Sequence, residues 1–94
     1  LNMSYMFYGA SKFNQSLGAW DIGLVVDMEY MLDDSALSVA NYDATLDGWS
    51  DGPKQQNVTL GANNLQYYDT YSIGGRNILI QYGWNIVGDG MFPP

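Results

Sequence analysis

The sequence predicts the end of an α/β solenoid: about two 25-residue strand–helix coils, closed by a small α+β cap. Three observations predict it. Met3-Ser4-Tyr5-Met6-Phe7 recurs as Met28-Glu29-Tyr30-Met31-Leu32, an offset of 25 residues, with Met, Tyr and Met identical. Leu17-Gly18-Ala19-Trp20-Asp21 is echoed by Leu46-Asp47-Gly48-Trp49-Ser50 at an offset of 29, which places extra residues within 33–41. Hydrophobic residues make up 47% of the 94, enough for one core. A unit this short cannot bury its apolar face alone and must stack on a neighbour.

Each element of the unit has its own signal. Val25-Val26-Asp27-Met28 reads as a short strand, because β-branched residues favour extension. Short helices are expected over 5–10 and 30–34, with Met3, Met6, Phe7 and Ala10 at helical spacing on one face. Gly9 and then Phe13-Asn14-Gln15 break the helix, and Leu17 and Trp20 return the chain to the core. The division expected is 1–50 for the repeats and 51–94 for the cap. In the cap, Val58 and Leu60 read as a strand ending at Gly61, with Asn63-Asn64 as a turn. Ser72 is placed to cap a helix running to about residue 82, with Gly83 as its stop. Trp84 to Gly88 reads as a last strand, Asp89-Gly90 as a turn, and Phe92-Pro93-Pro94 cannot continue a helix.

Met6, Phe7, Gly9, Ala10, Phe13, Asn14, Gln15, Leu17, Trp20, Asp21, Val26 and Met28 fall on the pattern W-D-x-S-x-V-T-x-M-x-x-M-F-x-G-A-x-x-F-N-Q-x-L. On that pattern, residues 1–50 resemble the BspA-type leucine-rich-repeat surface proteins, once catalogued only as a domain of unknown function. Gly23-Leu24 in place of Ser-Asn, and Leu32-Asp33-Asp34 in place of Phe-x-Gly, mark a degenerate final repeat. Residues 37–51, 57–69 and 75–90 resemble the closing module that follows such arrays. The resemblance implies a leucine-rich-repeat-like fold, secretion or surface display, and a role in adhesion or extracellular assembly with a protein or glycan partner. The chain begins at Leu1 within a repeat, so its N-terminal side is expected to expose an open edge on which upstream repeats or another copy would stack.

Composition removes several function classes. Ten acidic residues face Lys12, Lys54 and Arg76, for a net charge of −7. Three scattered cations cannot neutralise a phosphate backbone or an anionic membrane surface. With no cysteine there is no disulfide framework and no thiolate metal site. No apolar run approaches the roughly 20 residues of a membrane span. The absence of His and Cys, and of any G-x-S-x-G elbow, leaves only carboxylate pairs such as Asp33 and Asp34 for catalysis. The expectation is no enzyme and no cofactor.

Three groups remain as candidate sites. Asp43, Thr45, Asp47, Gly48 and Asp51 occupy positions 1, 3, 5, 6 and 9 of a calcium loop, but Lys54 stands where position 12 needs a bidentate Glu. Asp43, Asp47 and Asp51 are the metal candidates, set against the alternative that they decorate a helix face. Trp20 and Trp49 are expected in the core, whereas Tyr67, Tyr68 and Tyr71 are less constrained and are the ligand-binding candidates. An exposed aromatic platform beside polar groups would instead make a carbohydrate-binding module. Asn2, Asn14 and Asn57 head N-x-S/T sequons, acceptors only in a eukaryotic secreted protein. The Asn14 amide is expected to bond backbone between segments.

Overall fold

The repeated segments fold as turns, not as the short helices that their spacing predicts. In the computed structural model, which describes residues 1–68 and 74–92, Tyr5 and Gly9 have φ of 62° and 66°. Their equivalents 25 residues on, Tyr30 and Asp34, have φ of 60° and 58°. A right-handed helix requires φ near about −63° throughout, so these left-handed residues stop it at both ends of each segment. The second unit puts Asp34 where the first has Gly9, and Asp is among the few residues that tolerate the conformation. Met6, expected on the buried face, is exposed, while Met3 and Met31 are buried.

Backbone hydrogen bonds join the turns in parallel register. Met3, Tyr5, Phe7 and Gly9 N–H groups donate to the carbonyls of Asp27, Glu29, Met31 and Asp33 at 2.8–3.0 Å. Met28, Leu32 and Asp34 N–H groups donate in turn to Thr59, Gly61 and Asn63. The Val25–Val26–Asp27–Met28 stretch forms only isolated bridges, Asn2 to Asp27 and Met28 to Leu60.

Helix α1, Val39–Asp51, is the largest element. Ser38 caps it, its hydroxyl accepting from Asn41 N–H at 3.2 Å. Asn14 ties the cap to the first unit: its Oδ1 accepts from Ser38 N–H at 2.7 Å and from Asn41 Nδ2 at 2.9 Å. Tyr42, Thr45, Leu46, Trp49 and Ser50 recur at helical spacing and form the buried face. Leu17 docks there with both backbone groups used: its N–H donates to Thr45 Oγ1 and its carbonyl accepts from Trp49 Nε1, each at 2.9 Å. The two backbones meet at Gly18 and Gly48, where a Cβ on Gly48 would lie 2.3 Å from the Gly18 carbonyl oxygen. The two tryptophan landmarks are therefore not equivalent. Trp49 is buried on α1, whereas Trp20 sits in a turn and is 43% exposed, against its expected place in the core.

The second half supplies strands and a second helix. β1 (Thr59–Gly61) pairs in parallel with β3 (Asn85–Val87), and β2 (Gln66–Tyr68) with β4 (Gly90–Phe92). α2, Gly75–Gln81, lies between them in sequence and packs on α1. Gly74 is its cap residue and offers no side chain; instead Asp47 of α1 accepts the Gly75 N–H at 2.8 Å. The expected Ser72 cap lies outside the described residues. Gly83, with φ of 94°, ends the helix where the sequence places its stop. Trp84 is buried, tilted against Trp49 at 6.1 Å, with its indole N–H on the Gln55 carbonyl at 2.9 Å.

The result corrects the expected fold class. It is a small compact α/β arrangement, 29 × 29 × 21 Å, with two helices and two short two-stranded parallel sheets. No leucine-rich-repeat-like solenoid of strand–helix coils is present among the described residues. Both helices lie outside the repeated Met-x-x-Met segments 3–7 and 28–32, and one hydrophobic cluster runs from Met3 through Trp49 to Trp84.

Candidate functional site

The repeat turns one kind of side chain outward. Tyr5 and Tyr30 hold equivalent positions, both left-handed, and their rings stack at 4.8 Å with planes 23° apart. Tyr8 meets Tyr5 edge-on at 5.5 Å. All three are about half exposed, with Met6 beside them in sequence also exposed. A bulky residue in this conformation costs about 1–2 kcal/mol, offset here by the Tyr5 N–H bond to Glu29 and by ring stacking.

A groove opens beside Tyr30. Its volume is about 100 Å³ and its lining is Glu29, Tyr30, Asp33, Thr59, Gly61 and Val87. Gly61 makes the floor: a Cβ there would lie 2.3 Å from the Tyr30 nitrogen and 2.7 Å from Asp33 Oδ1. Asp33 is held in place by the Asn63 N–H on Oδ1 at 2.9 Å. The Glu29 N–H is fixed by Asp27 Oδ1 at 2.9 Å. The next carboxylate, Asp34, accepts from Asn64 Nδ2. Asp33 and Asp34 thus each bind an Asn of the following segment, an arrangement unlike two acids facing across a cleft.

A second polar cluster is closed rather than open. Arg76 donates from Nε and Nη2 to the two oxygens of Asp89, both at 2.8 Å, and Tyr42 Oη donates to Asp89 Oδ2 at 2.7 Å. The guanidinium lies 4.4 Å from the centroid of Tyr67. The Asp89 side chain is 2% exposed. Burial first, then the negative charge of Asp89, pushes the Tyr42 phenol well above its ordinary value of 10.0. This cluster ties α1, α2 and the β3–β4 turn together.

The candidates read from sequence are distributed as follows. Asp43, Asp47 and Asp51 lie on α1 at spacings of four, so the segment is a helix and does not wrap an ion as a loop does. Partial burial, then repulsion from Asp47, raises the Asp43 carboxyl from its ordinary value. Asp47 is spent on Gly75, and Lys54 donates to the Ser50 and Gly52 carbonyls at the end of α1. No group of three or more metal-ligating side chains comes together among the described residues. Tyr67 lies half-buried under Arg76, Tyr68 is exposed against Phe92, and Tyr71 lies outside the described residues. Asn2, Asn14 and Asn57 are exposed; the Asn2 and Asn14 side-chain oxygens accept backbone N–H groups. Tyr5, Tyr8 and Tyr30 form the aromatic face instead. For Tyr5 and Tyr30 the available signal is their recurrence at an offset of 25; Tyr8, opposite Asp33 in the repeat, has no such signal.

The model of the family described as "Mycoplasma protein of unknown function, DUF285" matches residues 1–59. The chain belongs to the DUF285 family. The match covers both repeated turns and ends at the start of β1, so the aromatic face of this DUF285 chain lies within it, while part of the groove lies beyond it. Searches of curated proteins and of solved structures find no match. Among the described residues, no helix is long and apolar enough to cross a membrane.

Proposed function

We propose that this DUF285 chain is a non-enzymatic interaction module of the BspA type, secreted or displayed at a cell surface and acting in adhesion or extracellular assembly. The observation that carries the reading is the Tyr5–Tyr8–Tyr30 face. Exposed clustered aromatics on a rigid backbone mark binding surfaces, and here the backbone is held by the turn-to-turn hydrogen bonds. The partner is a protein rather than a glycan. A sugar-binding platform lays its aromatics side by side, whereas Tyr5 and Tyr30 stack on each other.

The test is saturable binding of the labelled chain to intact animal and bacterial cells, with Tyr5→Asn/Tyr8→Ser as the control. Asn is tolerated at positive φ, so the double variant keeps the turn and loses the rings. Saturable binding that the variant loses, and that protease treatment of the cells removes, supports the reading. Binding equal in the variant, or no binding to any cell surface, refutes it. Binding resistant to protease and removed by glycosidases transfers the role to carbohydrate recognition.

A further inference from the structure

We propose that the groove beside Tyr30 receives a basic side chain, Lys or Arg, from a partner protein. The inference rests on the interaction reading above and names the chemistry of the partner. Three observations converge on it.

The first is charge. Two acidic residues, Glu29 and Asp33, line the groove, and no basic residue does. The chain's three basic residues do not serve them: Arg76 is bound to Asp89, Lys54 donates to the Ser50 and Gly52 carbonyls with its ammonium over the Tyr82 ring, and Lys12 forms no ion pair with either among the described residues. The one ion pair among the described residues is Arg76–Asp89. With a net charge of −7, the surface as a whole draws a cationic partner.

The second is size. A volume of about 100 Å³ is well below the roughly 300–1,000 Å³ of small-molecule sites. It suits one side-chain head group, not a cofactor or an oligosaccharide. Gly61 and Val87 give an apolar surface for the aliphatic stem, while the carboxylates meet the charged head.

The third is an internal precedent. Elsewhere in the chain a cation, a tyrosine ring and a carboxylate are assembled into one unit: Arg76 over Tyr67 at 4.4 Å, bound to Asp89. Glu29, Tyr30 and Asp33 supply the ring and the carboxylates of the same unit without its cation. Cations over Tyr rings are attracted by the ring quadrupole, more strongly when a carboxylate completes the contact.

The experiment is an amide-resolved NMR titration of the intact chain with a blocked Gly-Gly-Arg-Gly-Gly peptide, its Lys counterpart and its Gln counterpart. The Arg and Lys peptides are expected to shift amides at residues 29–33, 59–61 and 87, with an affinity that falls as salt is added. The Gln peptide is expected to shift none. Glu29→Gln, at an exposed position, is expected to weaken the Arg peptide about tenfold. Tyr30→Asn preserves the left-handed turn and is expected to weaken it about threefold through loss of the ring. Shifts spread equally over Asp21, Asp43 and Asp51, or unchanged in both variants, overturn the proposal. So does a calcium titration that moves the same amides and displaces the peptide, or concentration-dependent shifts there without peptide, which would make the occupant an ion or a second copy. Loss of cell binding in Tyr5→Asn/Tyr8→Ser alongside an empty groove would refute this inference alone and leave the interaction reading standing.

Discussion

At the residue scale, two glycines do different work and separate by measurement. Gly9 has φ of 66° and nothing within 4 Å of where a Cβ would stand, so Gly9→Ala meets only backbone strain, about 1 kcal/mol. Gly48 has ordinary helical geometry but touches Gly18, so Gly48→Ala must push a loop off α1 and is expected to cost about 3 kcal/mol. Urea unfolding of the two variants checks the order; an equal cost in both would mean that the Gly18–Gly48 contact carries no stability. Tyr42 gives a pH prediction. Its phenol titrates higher in the folded chain than in the unfolded chain, so its contribution is intact below about pH 10 and is lost as pH rises through the folded value. The wild type should lose up to about 1.4 kcal/mol per pH unit above pH 10 from this group. Tyr42→Phe should flatten that part of the stability curve while lowering stability at neutral pH by about 1–2 kcal/mol, since buried Asp89 loses a donor.

At the element scale, α1 is set by its cap and its stripe, and both are local signals. Ser38→Ala should cost about 1 kcal/mol, read by chemical denaturation, and Asn14→Ala should cost more than its exposure implies because it leaves the Ser38 N–H without its acceptor. The same locality explains what the sequence makes legible. The strand ending at Gly61, the stop at Gly83 and the strand after Trp84 all follow from residue chemistry within a few positions. The Met-x-x-Met turns do not. Helical spacing of Met3, Met6 and Phe7 is real in the sequence, but the turns that hold Tyr5 and Tyr30 left-handed and cancel it are fixed by hydrogen bonds from their N–H groups to segments 24–31 residues away, and no short-range rule marks a tyrosine for that conformation. The Trp20–Trp49 pairing fails for a related reason: the two glycine–tryptophan stretches face each other across a contact instead of repeating one another. The groove is the least legible feature, since Glu29, Thr59 and Val87 meet only after three separate segments have stacked.

At the scale of the whole molecule, acidity and tight backbone contact set the behaviour. A net charge of −7 on so small a body repels itself, so the melting temperature should rise as sodium chloride is added up to about 0.5 M. Calcium should do no more than its ionic strength, because α1 holds Asp43 and Asp51 apart along a helix and Asp47 is engaged; a rise in calcium beyond that of a matched sodium salt would contradict this. The placement of the three indoles has an optical consequence. Trp49 and Trp84 are buried within 6.1 Å of each other, while Trp20 is partly in solvent against Phe7. Emission should therefore divide into a red, iodide-quenchable part from Trp20 and a blue, shielded part from the buried pair. Trp20→Phe leaves only the shielded part, so the chain carries separate fluorescent reporters of its surface and its core, and partner docking can be told from unfolding in one spectrum.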